Sequence, residues 1–360
     1  MEFSTLIFSF FFCCCSLIIS GAQGSSHHHD GGRGHRHGGD YGHTKLFVFG
    51  DSYADTGNVG KSLANSWNVP YGITFPGKPS GRFSDGRVLT DYVAKSLGLK
   101  TPIAYALRKM AGPKRLRYGM NFAVGGSGVF DTLGPFLPNM TTQIDFFQNL
   151  VNESVYTKWD FHSSAVLVTL SGNDYAAFLQ NGGTLQGLQG FIPRVVTQLA
   201  LNLKRISELG ARKIVVTELQ PLGCLPRITQ LNSFQQCNAT QNTAVQFHNL
   251  LLRQAVAKLN NETNRAGVFV LDLYDSFTTL LDQKNDLKAG KLKFESPLKP
   301  CCFGTCAGCS CGGVDLNGTK LYTVCSDPKS SFFWDSSHPT QAGWRAIFTT
   351  LKSSFEQFII

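Results

Sequence analysis

Ser52, Asp335 and His338 are the residues whose types and spacing could do covalent chemistry. Asp335 and His338 stand three apart in Trp334-Asp335-Ser336-Ser337-His338-Pro339-Thr340, a turn-like stretch. That spacing lets the carboxylate fold back onto the imidazole Nδ1–H and fix its tautomer, which leaves Nε2 to take a proton from a serine. A serine hydroxyl is a poor nucleophile at neutral pH without such a base. The serine comes from Phe47-Val48-Phe49-Gly50-Asp51-Ser52, where an apolar, strand-like run breaks off. Gly50 permits a tight backbone path that a Cβ would resist. Taken alone, Asp51 and Ser52 would only cap a following helix, and a lone His beside Pro is usually structural. Together they point to acyl transfer.

Those residues need a frame. Ala165–Leu170, Lys213–Thr217 and Gly267–Asp272 read as further strands, each a continuous apolar run. Between them the spacing predicts helices at Asp85–Leu97, Gln143–Val151, Ile192–Leu209, Gln241–Leu259 and Gln341–Phe358. Pro70–Phe83 is rich in turn residues and reads as a long ordered loop. Alternating helices and doubly buried strands predict a mostly parallel sheet covered on both faces. In such a sheet the strand ends share one edge, where ligands sit. Ser52, the Gly125-Gly126 turn and Ser171-Gly172-Asn173-Asp174 all follow apolar segments, so they can meet there. Asp51, Asp55 and Asn58 are expected to hold the loop around Ser52, and Asp174 to do the same beside Asn173.

Gly50-Asp51-Ser52, Gly126, Asn173 and Asp335-x-x-His338 resemble, in order, the four signature blocks of the GDSL, or SGNH, hydrolases. Phe47–Asn58, Ser80-Gly81-Arg82-Phe83-Ser84-Asp85-Gly86-Arg87, Leu222-Gly223-Cys224-Leu225-Pro226-Arg227 and Phe333-Trp334-Asp335 resemble the plant secreted GDSL esterase/lipases in particular. The similarity runs over roughly residues 45 to 357. Tyr53 stands where the family name has Leu, and Ser336-Ser337 fill the space before His338; neither is a catalytic position. The resemblance implies a three-layer α/β/α sandwich of the SGNH, flavodoxin-like kind. It implies Ser52 as nucleophile, His338 as general base and then acid, and Asp335 as its orienting group. The oxyanion hole would use the backbone N–H groups of Ser52 and Gly126 and the side-chain amide of Asn173. Preorganised donors of this kind suit a developing oxyanion. No Gly-x-Ser-x-Gly elbow of an ordinary α/β-hydrolase is present. The expected activity is hydrolysis of carboxylic esters, small-molecule, lipid or cell-wall, without cofactor or metal, by a monomer. Two alternatives use the same fold: an acyltransferase with an alcohol in place of water, and a silent binding protein.

The rest of the chain speaks to compartment. Leu6–Ile19 is almost wholly apolar and runs into Ser20-Gly21-Ala22, which reads as a signal peptide over residues 1–22. The apolar run is short for a spanning helix, and no later segment reads as an integral membrane span. Residues 23–44 are rich in Gly and His and cannot bury a core, so disorder is expected. They take six of the nine histidines, leaving His162, His248 and His338 for the domain at 45–360. His248 lies inside a predicted helix and is expected to pack there; His162 precedes a strand and should be superficial. Of eleven cysteines, Cys13, Cys14 and Cys15 fall in the leader. The remainder, Cys224, Cys237, Cys301, Cys302, Cys306, Cys309, Cys311 and Cys325, suit disulfides in a secreted chain. Eight cysteines allow 105 pairings; Cys224 with Cys237 would close a local loop, and the other six staple a Cys-rich insertion at about 300–326. Cys306-Ala-Gly-Cys309 lacks a second pair or His for zinc. Sequons at Asn139, Asn152, Asn238, Asn261 and Asn317 are glycosylation candidates and predict surface positions. The net charge of +9 includes Lys100, Arg108, Lys109, Lys114, Arg115 and Arg117. No nucleic-acid motif accompanies that stretch, so it reads as a solvated face.

Overall fold

Leu46–Gly50 (β1) is buried along its whole length because both of its faces are covered. Phe47 and Phe49 enter one apolar cluster, Leu46 and Val48 the other. This alternation is the period of two of a strand, and it explains why the sequence reads as an unbroken apolar run. The computed structural model describes residues 45–132, 137–262, 267–282 and 294–359. All fall in one compact unit spanning 41–360. The leader at 1–22 and the Gly/His segment at 23–44 lie outside the described residues.

The other strands of the main sheet are Ile103–Ala104 (β2), Gly119–Asn121 (β3), Ala165–Thr169 (β4), Lys213–Thr217 (β5) and Gly267–Leu271 (β6). Their order is β2-β3-β1-β4-β5-β6, and every pairing is parallel. Phe47 registers with Met120 on one side and Val166 on the other. The α-helices among the described residues are, in chain order, Leu89–Ser96 (α1), Pro113–Leu116 (α2), Met140–Asn152 (α3), Lys158–His162 (α4), Asn173–Gln180 (α5), Leu188–Glu208 (α6), Pro226–Thr229 (α7), Ala239–Glu262 (α8), Leu273–Leu281 (α9) and Gln341–Ile359 (α10). Helices α3, α6 and α8 bury apolar residues against one face, and α1, α9 and α10 against the other. The result is a three-layer α/β/α sandwich with a parallel sheet. Among the described residues no helix is long and apolar enough to cross a membrane.

Two helix starts differ from the expectation by four residues, for physical reasons. Helix α1 begins at Leu89 rather than Asp85, because Asp85 serves another helix: its carboxylate accepts from Gln341 N at 2.7 Å, at the start of α10. Asp91 supplies the cap instead, accepting from Val88 N at 2.9 Å while Arg82 grips both its oxygens at 2.9 Å. Helix α6 starts at Leu188, one turn before Ile192, and so contains Pro193. As the sixth residue of the helix, Pro193 removes one N–H from the ladder and its ring crowds the carbonyl four residues earlier.

The segment after Pro300 forms a small hairpin, Cys302–Gly304 (β7) with Tyr322–Val324 (β8). Disulfides join Cys301 to Cys325, Cys302 to Cys311 and Cys306 to Cys309; Cys224 pairs with Cys237. Each loop closure removes unfolded-state entropy, about 3 kcal/mol for a loop of about 15 residues and less for the short Cys306–Cys309 loop. The hairpin is tied to the main body: Tyr322 Oη donates to the Val69 carbonyl at 2.9 Å, and Asn65 Nδ2 to the Cys311 carbonyl at 3.1 Å. Asn152, Asn238, Asn261 and Asn317 are exposed, whereas Asn139 is half-buried and caps α3 by accepting from Thr142 N at 3.0 Å.

Candidate active site

The C-terminal edge of the sheet gathers the loops after β1, β3, β4 and β5. Gly50 is what lets β1 end so close to β4. Its φ is +136°, and a Cβ there would lie 1.8 Å from the Thr169 carbonyl oxygen. Asp51 N then donates to that same oxygen at 3.1 Å. Gln143 of α3 clamps the strand end, its amide oxygen accepting from Gly50 N and its amide nitrogen donating to Gly50 O, both at 2.8 Å.

Ser52 follows directly, nearly buried, with Oγ 2.8 Å from His338 Nε2. His338 Nδ1 lies 2.8 and 2.9 Å from the two oxygens of Asp335. The structure therefore brings together three residues spread over the whole domain. The loop that carries Asp335 and His338 is fixed at its far end by Thr340, whose hydroxyl accepts from Gly343 N at 2.9 Å. Asp335 Oδ1 also accepts from Ser337 N and His338 N, both at 2.9 Å. Its Oδ2 accepts from Tyr71 Oη at 2.7 Å. Burial alone would raise the Asp335 pKa; the His338 charge and these hydrogen bonds outweigh it and hold the carboxyl below its ordinary value. An ionised Asp335 with Nδ1–H bonded to it leaves Nε2 as the acceptor facing the serine.

The remaining groups also reach the edge. Gly126 follows β3, with φ +88°. The backbone N–H groups of Ser52 and Gly126 donate to no acceptor among the described residues. Asn173 opens α5 and lines the same cavity, but its amide nitrogen already donates to Asp51 Oδ2 and to the Ser127 carbonyl, each at 3.0 Å. A substrate oxygen would share or displace one of those hydrogens.

Buried carboxylates hold these loops. Asp51 Oδ2 accepts from Ser171 N at 2.5 Å and Ser171 Oγ at 2.6 Å, tying the serine loop to β4. Asp55 accepts from Gly57 N and Asn58 N at 2.7 Å, and from Gly125 N at 2.9 Å, tying it to the glycine turn. Burial pushes each of these two carboxyls up to about 6. Asn58 Nδ2 donates to the carbonyls of Asn121 and Ala123 at 2.8 Å. Asp174 accepts from Val129 N and Phe130 N at 3.0 Å. All four perform the loop-holding expected from the sequence.

Tyr71 and Gln143 are functional supports that sequence reading does not single out. Tyr71 sits in a turn-rich loop whose path cannot be deduced from its composition, and Gln143 is one polar residue at a helix start. Conversely, His248 is not one of the groups facing the cleft: it is buried, its Nδ1 is 2.6 Å from Tyr175 Oη, and burial lowers its pKa to about 3. His162 is half-buried and stacks on Trp159. Cys306 and Cys309 are joined to each other, and among the described residues no cluster of His, Cys, Asp and Glu could hold a metal.

Ser52, Gly126, Asn173 and His338 open into a cleft of about 1010 Å³, roofed by the Cys-rich hairpin. Beside it lies a smaller cavity of about 240 Å³, lined by apolar side chains of α5, α6 and α8. Residues that include Gly172 and Arg227 form its wall. The arrangement can deprotonate a serine, accept an oxyanion on two free N–H groups, and admit a bulky ester.

Comparison with known proteins agrees with that chemistry. The profile described as GDSL-like lipase/acylhydrolase matches residues 46–351. A GDSL esterase/lipase of Arabidopsis thaliana is 54% identical over 318 residues, 88% of this chain and 88% of its own. A second from the same plant is 54% identical over 308 residues, 85% of this chain and 87% of its own. Acetylajmalan esterase 2 of Rauvolfia serpentina is 33% identical over 332 residues, 84% of this chain and 87% of its own.

Proposed function

The chain belongs to the GDSL-like lipase/acylhydrolase family and is a carboxylic ester hydrolase, and on that premise we propose that it is a secreted serine esterase working through an acyl-enzyme on Ser52. The observation that carries the reading is the hydrogen-bonded series from Asp335 through His338 to Ser52, with both links at 2.8 Å. Ser52 Oγ attacks the ester carbonyl while His338 Nε2 takes its proton. The tetrahedral oxyanion draws on the N–H groups of Ser52 and Gly126, and on Asn173 once one of its amide hydrogens is released. His338 then returns the proton to the departing alkoxide. Water, deprotonated by His338, resolves the acyl-enzyme and regenerates Ser52. Asp335 stays ionised and stabilises the imidazolium.

Residues 45–360 serve as one catalytic domain in this reading. Secretion is supported by the apolar leader at 1–22, by four disulfides, and by exposed sequon asparagines, all of which suit an oxidising route. The test is hydrolysis of p-nitrophenyl esters by wild type and Ser52→Ala, both made in a secretory host. The variant is expected to lose about 10⁴-fold or more in kcat with its melting temperature kept. Equal turnover by the two proteins would sink the assignment of Ser52. N-terminal sequencing of the secreted product should begin close to residue 23.

A further inference from the structure

We propose that Arg227 makes this esterase selective for substrates that carry a carboxylate or phosphate near the scissile ester. The inference rests on the Ser52 reading above and names the substrate class of that site.

Arg227 lies in the short helix α7, and its backbone N–H donates to the Ser336 carbonyl at 2.9 Å. It is thus anchored on the loop that holds Asp335 and His338. Its side chain lines both the main cleft and the apolar cavity beside it. The guanidinium makes no hydrogen bond or ion pair with any described residue, and its nitrogens are not sealed from solvent. Tyr53 and Asp335 act on it only through space. A half-buried cation on a cleft wall is less well solvated than one on the open surface, and without a counter-ion it is left free to attract an anion. Asp335 cannot serve, since His338, Ser337 N and Tyr71 occupy its oxygens. Apart from the triad residues and the phenols of Tyr53 and Tyr71, the ionisable groups lining the cleft are Lys61 and Arg227, both cations. Asp51 and Asp55 are consumed by backbone and Ser171 donors behind the edge. The unpaired guanidinium is therefore an anion site in the cleft that holds the serine. A planar guanidinium offers two parallel N–H groups to a carboxylate or phosphate.

The experiment compares kcat/KM for matched acetate esters: 4-acetoxybenzoate against 4-acetoxybenzamide, and 4-acetoxyphenyl phosphate against 4-acetoxyanisole, each corrected for its hydroxide-catalysed rate. The wild type is expected to favour the anionic member of at least one pair by about 10- to 100-fold, the range of a charge-assisted hydrogen bond. The two pairs separate carboxylate from phosphate recognition. Raising ionic strength should shrink the preference. In Arg227→Gln the anionic-to-neutral ratio should fall to about one, and in Arg227→Lys to an intermediate value. A wild-type ratio near one in both pairs overturns the proposal without any variant; so does a preference that survives in Arg227→Gln. Hydrolysis of the neutral esters by wild type but not by Ser52→Ala keeps the Ser52 reading standing in either event.

Discussion

Replacing Tyr71 by Phe removes one oxygen and nothing else from the support of Asp335. The ring is buried, packs edge-on against Trp334 at 5.9 Å, and would stay in place. Asp335 Oδ1 would keep its two backbone donors at 2.9 Å and its share of the imidazole Nδ1–H. Asp335 Oδ2 would lose its 2.7 Å bond and be left with the longer contact to Nδ1 at 2.9 Å. A hydrogen bond to a charged group is worth about 1.5–3 kcal/mol. Part of that loss is felt equally in resting enzyme and transition state, so about half should reach the barrier, a fall in kcat/KM of roughly 3- to 10-fold. The loss is one of orientation: without the 2.7 Å bond, Oδ2 is no longer held in place against the imidazole Nδ1–H. The assay is kcat/KM for a p-nitrophenyl ester, with melting temperature as a control. Lower activity at an unchanged melting temperature is expected; activity that falls only in step with lost stability would show that Tyr71 merely packs, and unchanged activity would refute the reasoning altogether.

Gly125→Ala should be harmful through Phe83. A Cβ at 125 would lie 2.3 Å from the Phe83 ring, which packs against His338 at 5.0 Å. Pushing that ring into the imidazole should cut kcat/KM by about 10-fold or more, and a crystal structure of the variant should show Phe83 displaced; full activity would contradict this. The buried carboxyls predict a pH dependence of stability. Asp51 and Asp55 hold their protons to about pH 6 when folded, against an ordinary value of 3.8. The folded chain thus binds more protons between those limits, and the stability they contribute, complete below the lower limit, is lost as pH rises through about 6. Unfolding free energy from urea titration should fall by about 2 kcal/mol per group between pH 4.5 and 7. Asp85 and Asp174, also raised by burial, act in the same direction. A midpoint that rises across this interval would show that these groups are ionised in the fold.

Much of the fold is legible in the sequence because the central strands are covered on both faces. Leu46–Gly50, Ala165–Thr169 and Lys213–Thr217 can only be apolar runs, and their strand identity survives without context. The two- and three-residue strands β2 and β3 carry no such signal; they exist because β1 offers a free edge for pairing. The hairpin β7–β8 is likewise invisible, since its shape follows from cross-links rather than periodicity. In the site, Ser52, Asp335 and His338 are legible because their chemistry demands those residue types. Tyr71 is not: a phenol above a carboxylate depends on where a turn-rich loop travels. Arg227 shows as a cation in the sequence, but its lack of a partner emerges only when the surrounding side chains are in place.

The serine and its base are 286 positions apart, and the base sits just ahead of the final helix. During synthesis the ribosome must therefore deliver everything from Ser52 to His338 before the first proton can move. A nascent or truncated chain ending before Pro339 would own a nucleophile and its oxyanion donors, yet have no anchored imidazole to switch them on.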